Sequence, residues 1–308
     1  MVKLRTAATH VSVIIVLLAA IHLLLGNKEQ IIVPEDPWCD QWRDPEHRIV
    51  ISCLGDSITF GDGSHHVGIP VKASRAGRGN FPMAMRGMMM KALLRNAREL
   101  RCANSPKNEQ LVVHNFGVPG ATLTPSSLQY EMTEAFRKAL TVEATLVIIM
   151  LGTNDSREWL NATHFMTHYQ RLVRSVRRDN SKLPVMVLSP PPCYPESALF
   201  LKTGKCKPVF GINCDVVRRD VSNACRRAVV EGDPFMMFID VFGSLVNSSS
   251  TRRNLDDHFR QNRCPSKLAR HTDSIISLFS DGVHPTQVTS NLIADIVSVG
   301  VAQYLGFM

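Results

Sequence analysis

An α/β fold of three layers, with helices on both faces of a mostly parallel sheet, is predicted by three features of the sequence. Short apolar runs recur along the chain, each followed within two residues by Gly, Asn or Pro. Longer segments with helical spacing lie between them. The apolar runs are continuous rather than alternating, the pattern of strands covered on both faces. Strands that alternate with helices imply this layered class.

In chain order, Ile49–Leu54 is the first predicted strand, and a helix follows over Phe81–Leu100. That helix carries Met85, Met88, Met89 and Leu93 at core spacing. Its run of methionines reads as packing, because an unbranched thioether fills irregular gaps. Leu111–Val113 is the second strand, followed by a helix over 127–140. Leu146–Leu151 and Val185–Leu188 are the third and fourth, with a helix over 164–178 between them. A helix over 215–231 leads to the fifth apolar run, Met236–Val241. The last helix, 287–305, places Leu292, Ile293, Ile296 and Val297 on one side. No internal repeat or low-complexity tract is present.

The 308 residues divide into three expected parts. In residues 1–26, Lys3 and Arg5 precede an apolar run from Val11 to Leu25. As a helix that run would span roughly 22 Å, short of a bilayer core of ~30 Å. It is a signal anchor or a signal peptide, and no clear small-residue cleavage site follows it. An anchor would leave the N-terminus cytoplasmic and the rest across the membrane. Residues 27–47 hold Pro34, Pro37 and Pro45 and read as a linker or stem. Residues 48–308 form the folded domain. The expected location is the secretory pathway, either tethered to the membrane through that N-terminal segment or secreted.

Two sequons, at Asn161 and Asn247, agree with that route and with a glycoprotein. A third, at Asn154, lies in a motif described below and is expected to stay unmodified. None of the eight cysteines forms a C-x-x-C pair, so a structural zinc site is not expected. Disulfides are expected in the group Cys193, Cys206, Cys214 and Cys225, whereas Cys53, inside an apolar run, reads as a buried thiol. The net charge of +8 is dispersed in pairs such as Arg177-Arg178 and Arg226-Arg227. Without a basic stripe interleaved with aromatics, nucleic acid is not an expected partner.

Active sites in open parallel sheets lie beyond the carboxyl ends of the strands. Four blocks fall at such positions. Gly55-Asp56-Ser57 follows the first strand, and Asn115-Phe116-Gly117-Val118-Pro119-Gly120 follows the second. Gly152-Thr153-Asn154-Asp155 follows the third, and Asp281-Gly282-Val283-His284 precedes the last helix. A serine hydroxyl needs a base to become a nucleophile, and His284 titrates in the right range for that work. Asp281, three residues earlier, can hold the other imidazole N–H and fix its tautomer. Candidate oxyanion donors are the backbone N–H groups of Ser57 and Gly120 and the side-chain amide of Asn154. Asp56 and Asp155 read as supporting groups that tie their loops to backbone.

These blocks resemble the SGNH hydrolase family, also called GDSL esterases and lipases. Ser57, Gly120, Asn154 and His284 fall where that family's four named residues fall, and Asp281 matches its triad acid. The resemblance runs from about Ile49 to the C-terminus. It implies a flavodoxin-like α/β/α sandwich of about five parallel strands in the order 2-1-3-4-5. It also implies ester hydrolysis with no metal and no organic cofactor. The run Leu151–Ser156 is similar to that of carbohydrate-directed acetylesterases of the family.

The expected activity is therefore removal of short acyl groups, acetyl above all, from a glycan or small-molecule ester. Two alternatives stand beside it: a lipid esterase or lysophospholipase, and an inactive membrane-tethered binding protein on the hydrolase fold. The loops at 61–80 and 191–214 are expected to shape the substrate mouth. Lys72, Arg75 and Arg78 in the first of them would favour acidic substrates, or are simply solvated. Of the remaining histidines, His65-His66 reads as solvated loop and His114 as a core residue. His164 and His168 share a helical face without the Glu of a zinc-hydrolase motif.

Overall fold

The computed structural model describes residues 36–62, 80–193, 211–229, 233–247, 279 and 283–306. Five strands form one sheet: β1 Ile49–Gly55, β2 Leu111–Gly117, β3 Leu146–Met150, β4 Val185–Leu188 and β5 Met236–Ile239. Their order is β2-β1-β3-β4-β5, and every pairing is parallel. Side chains alternate between the faces of a strand. In β3, Leu146, Ile148 and Met150 enter one core while Val147 and Ile149 enter the other. Both sets are fully buried, which explains why the run shows no polar alternation.

One face is covered by helix α1, Phe81–Glu99, and by the last helix, α4, Gln287–Tyr304. The other is covered by α2, Ala162–Val176, and α3, Ser222–Ala228. The three expected layers are therefore present. Helix α2 shows how local sequence sets this up. The Asn161 side chain accepts from the His164 N–H at 2.9 Å and starts the helix. Phe165, Tyr169, Leu172 and Val173 then recur on one face and are buried. Full burial of each contributes roughly 1.5–3 kcal/mol. Phe165→Ala would cost about 3–5 kcal/mol through the cavity it leaves.

Two boundaries and one cysteine differ from expectation. The predicted helix 127–140 is reduced to Glu134–Ala139, because the Thr133 hydroxyl caps it and accepts from the Phe136 N–H. A short 3₁₀ turn, Tyr130–Met132, precedes it. The segment expected as a linker is packed from Asp36 onward: Trp42 is buried in the core under α1, and Cys39 is bonded to Cys102. Cys225 is not in a disulfide but is a buried thiol within α3, as Cys53 is within β1. Cys193 pairs with Cys214, while Cys206 and Cys264 lie outside the described residues.

The expected anchor or signal peptide, 1–26, also lies outside them. Among the described residues no helix is long and apolar enough to cross a membrane.

Candidate active site

The carboxyl edge of the sheet gathers the predicted blocks. β1 ends at Gly55, and the chain turns at once into a short helix, Ser57–Phe60. Asp56 caps it, accepting the Ile58 N–H at 2.9 Å. Ser57 is the first residue of the turn, so its own N–H has no carbonyl partner within the turn. The turn lies hard against β2. A Cβ on Gly117 would sit 2.2 Å from the Phe60 nitrogen, so only glycine permits this approach. Asn115 completes the seat: its amide donates to the Thr59 carbonyl at 2.8 Å, and its oxygen accepts from the Gly117 N–H.

The loop after β2 carries Gly120 in the left-handed region, at φ +80°. It is pinned on both sides. The Val118 N–H donates to the Gly55 carbonyl at 2.9 Å, tying it to the nucleophile turn. The Asn154 amide donates to the Ala121 carbonyl at 3.0 Å, tying it to the block after β3. An amide NH₂ has two donors, so one N–H of Asn154 remains for a substrate oxygen. Asp155 then holds the far end of the loop, accepting the Leu123 N–H, the Thr124 N–H and the Thr124 hydroxyl.

His284 reaches this edge from the start of α4. Its Nε2 lies 2.9 Å from Ser57 Oγ, across 227 residues of sequence. Asp281, the expected partner of the other ring nitrogen, lies outside the described residues. Ser57 and Asn154 are both buried, with only 6% and 5% of their surfaces exposed. Burial of Asn154 is incompatible with a glycan at that sequon on the folded chain. Asn161, capping α2, is exposed.

Two buried carboxylates flank the site and differ in their support. Burial pushes the Asp56 carboxyl up to about 7, opposed by the Ile58 N–H and the nearby His284. Its Oδ2 has no partner at hydrogen-bond distance. Burial also pushes Asp155 up, and the donors of Thr124 and Leu123 hold it back.

The site residues named from sequence therefore converge, Asp281 apart. Sequence reasoning missed the service of Asn115, Gly117, Ser156 and Thr124. Asn115 and Gly117 stood inside a quoted block, and an Asx residue at a strand end is a signal for local backbone bonding. Thr124 had no such signal. The remaining histidines stay apart from this edge. His114 is half-buried and stacked on Phe116, rather than in the core. His164 and His168 meet edge to face at 4.6 Å on α2. Among the described residues no group of three or more His, Cys, Asp or Glu is placed to hold a metal.

Comparisons with known proteins fit this geometry. An acetylxylan esterase of Xylanibacter ruminicola is 20% identical over 264 residues, 83% of this chain. The match spans only 44% of that relative's length. Among solved structures, a carbohydrate acetylesterase family member from Sinorhizobium meliloti superposes with a TM-score of 0.53 at 16% identity. It covers 84% of this chain and 99% of that one. A putative arylesterase from Agrobacterium tumefaciens gives 0.51 at 19% identity, over 83% and 99%. At such identities these likenesses speak for the fold. The sequence model of the GDSL-like lipase/acylhydrolase family matches residues 53–288, well over half of the chain. That match takes in the first block's serine and the last block's histidine, and on its extent the protein belongs to the GDSL-like lipase/acylhydrolase family.

Proposed function

We propose that the protein is a serine esterase that removes short acyl groups, acetyl above all, from a glycan. The observation that carries the catalytic part is the 2.9 Å contact between Ser57 Oγ and His284 Nε2 at the carboxyl edge of the sheet. In this reading His284 takes the Ser57 proton as Oγ attacks the ester carbonyl. The N–H groups of Ser57 and Gly120 and the free N–H of Asn154 receive the developing oxyanion. His284 then gives its proton to the leaving alcohol, and water repeats the sequence on the acyl-enzyme. Asp281 would hold the imidazolium. No step needs a metal or an organic cofactor.

The substrate class rests on other support. The chain's relatives include an acetylxylan esterase and carbohydrate acetylesterases. Two disulfides among the described residues support an oxidising compartment, hence the lumen or the exterior, where glycans are met. Tethering through residues 1–26 belongs to the same proposal.

Hydrolysis rates on p-nitrophenyl esters of increasing acyl length, together with acetate release from acetylated xylan, test the reading. Rates should fall steeply beyond short acyl chains, and acetate should be released from the polysaccharide. Faster turnover of long acyl chains would replace the acetylesterase reading with that of a lipid esterase. Absence of Ser57 labelling by a fluorophosphonate in folded protein would replace it with a binding role.

A further inference from the structure

His284 must keep its ring against Ser57, yet it stands ahead of α4 rather than at the end of a strand. The residue before it packs in a small core separate from the two that pack the sheet faces. This third cluster consists of Cys193, Ile212, Val217 and Val283, with Cys214 and Phe242 against it. Val283 is the residue bonded directly to His284, and it is only 3% exposed. The cluster is stapled by the disulfide between Cys193 and Cys214. Cys193 follows β4 after Ser189–Pro192, and Cys214 opens the helical path through Val217 to α3. That path is also fastened to the block after β3. The Asn213 N–H donates to Ser156 Oγ at 3.1 Å, and Ser156 Oγ donates to the Thr153 carbonyl at 2.7 Å.

From this arrangement we infer that the Cys193–Cys214 disulfide is a positioning element for His284, acting through Val283. The inference rests on the reading of His284 as the base. Sliding the two cysteine-bearing segments apart opens the pocket that Val283 fills, and the His284 backbone moves with it. Misplacing a catalytic group by about 1 Å can cost on the order of a hundredfold in rate. The Cys39–Cys102 disulfide serves as an internal control. It joins the N-terminal segment to the residues that follow α1, and neither cysteine belongs to the cluster around Val283. Chemically, a dithiol reductant would supply two electrons and two protons to Cys193–Cys214, giving two thiols and the oxidised dithiol. The oxidised enzyme is the one with His284 held in place.

The test compares wild type, C193S/C214S, C39S/C102S and V283A on p-nitrophenyl acetate. Rates are taken per active site, titrated with a fluorophosphonate, at a temperature where circular dichroism shows all four folded. C193S/C214S should lose about tenfold or more in kcat with KM nearly unchanged. C39S/C102S should lose melting temperature but keep kcat within about twofold. V283A should lose roughly three- to tenfold in kcat, and V283I should recover most of it. Dithiothreitol should lower wild-type kcat and leave C193S/C214S unaffected. A kcat for C193S/C214S within about twofold of wild type overturns the inference. So does an equal loss in both disulfide variants. If C193S/C214S does not fold, V283A decides, and an unchanged kcat there overturns it. Because these rates read acyl transfer at Ser57, their outcome is independent of which ester the enzyme cuts. H284A separately tests whether that histidine is the base at all.

Discussion

The turns after β1 and β3 are built alike and supported differently. Each places one functional residue beside one buried aspartate, Ser57 with Asp56 and Asn154 with Asp155. Asp155 accepts three donors from a loop more than thirty residues away and so fixes that loop. Asp56 accepts one local N–H and leaves its second oxygen buried without a partner. A buried polar atom left unpaired costs about 1–3 kcal/mol. Burial pushes both acids up, but the three donors offset part of that cost in the third turn, while the first turn has one. The difference suits the tasks. In the proposed mechanism the Asn154 turn holds a donor still, and the Ser57 turn keeps a reactive hydroxyl beside a histidine that gains charge.

The largest way to break this pairing is to remove the nucleophile. Ser57→Ala should lower kcat by on the order of a millionfold and abolish fluorophosphonate labelling, and His284→Ala should cost nearly as much, because the two act as a unit. Retention of more than about a tenth of the wild-type rate by His284→Ala would remove it from the mechanism.

Next in size is the titration of Asp56. Its folded-state pKa, about 7, stands above the ordinary value of 3.8. Between those values the folded protein holds a proton that the unfolded chain has released, so stability falls as pH rises through roughly 4 to 7. The full loss is on the order of 4 kcal/mol. Asp56→Asn keeps a good helix cap and removes the titration. Urea unfolding at pH 5 and pH 8 should show the variant losing less stability than wild type over that range. Equal losses would mean that Asp56 ionises normally.

Asn154→Ala should cost about 3 kcal/mol of transition-state stabilisation, seen as a fall in kcat larger than the rise in KM. An unchanged kcat would exclude Asn154 from the oxyanion hole. The smallest effect sharpens the contrast between the aspartates. Asp155→Ala orphans the Leu123 and Thr124 donors and should cost about 2–3 kcal/mol, lowering the melting temperature by several degrees. If Asp155→Ala proved neutral, the two turns would not differ as described.

Much of this was readable beforehand because its cause is local. A strand buried on both faces must be continuously apolar, so Leu146–Met150 and Val185–Leu188 announced themselves. Ser57, Gly120, Asn154 and His284 stood at strand ends or ahead of the last helix, where a parallel sheet puts its chemistry. The α/β class and the strand positions were thus determined by the sequence itself, and so was the choice of residues proposed to react.

Tertiary structure decided what depends on distance through space rather than along the chain. It chose Cys39 and Cys102, 63 residues apart, as partners and left Cys225 a buried thiol. It drew residues 36–47 onto the core, because Trp42 found an apolar surface that no local pattern could show. It gave Asp155 three donors and Asp56 one, although both are aspartates beside a functional residue at a strand end. Spacing tells which residue types can meet, but hydrogen-bond partners, burial and the pKa values that follow from them exist only once remote segments are packed together.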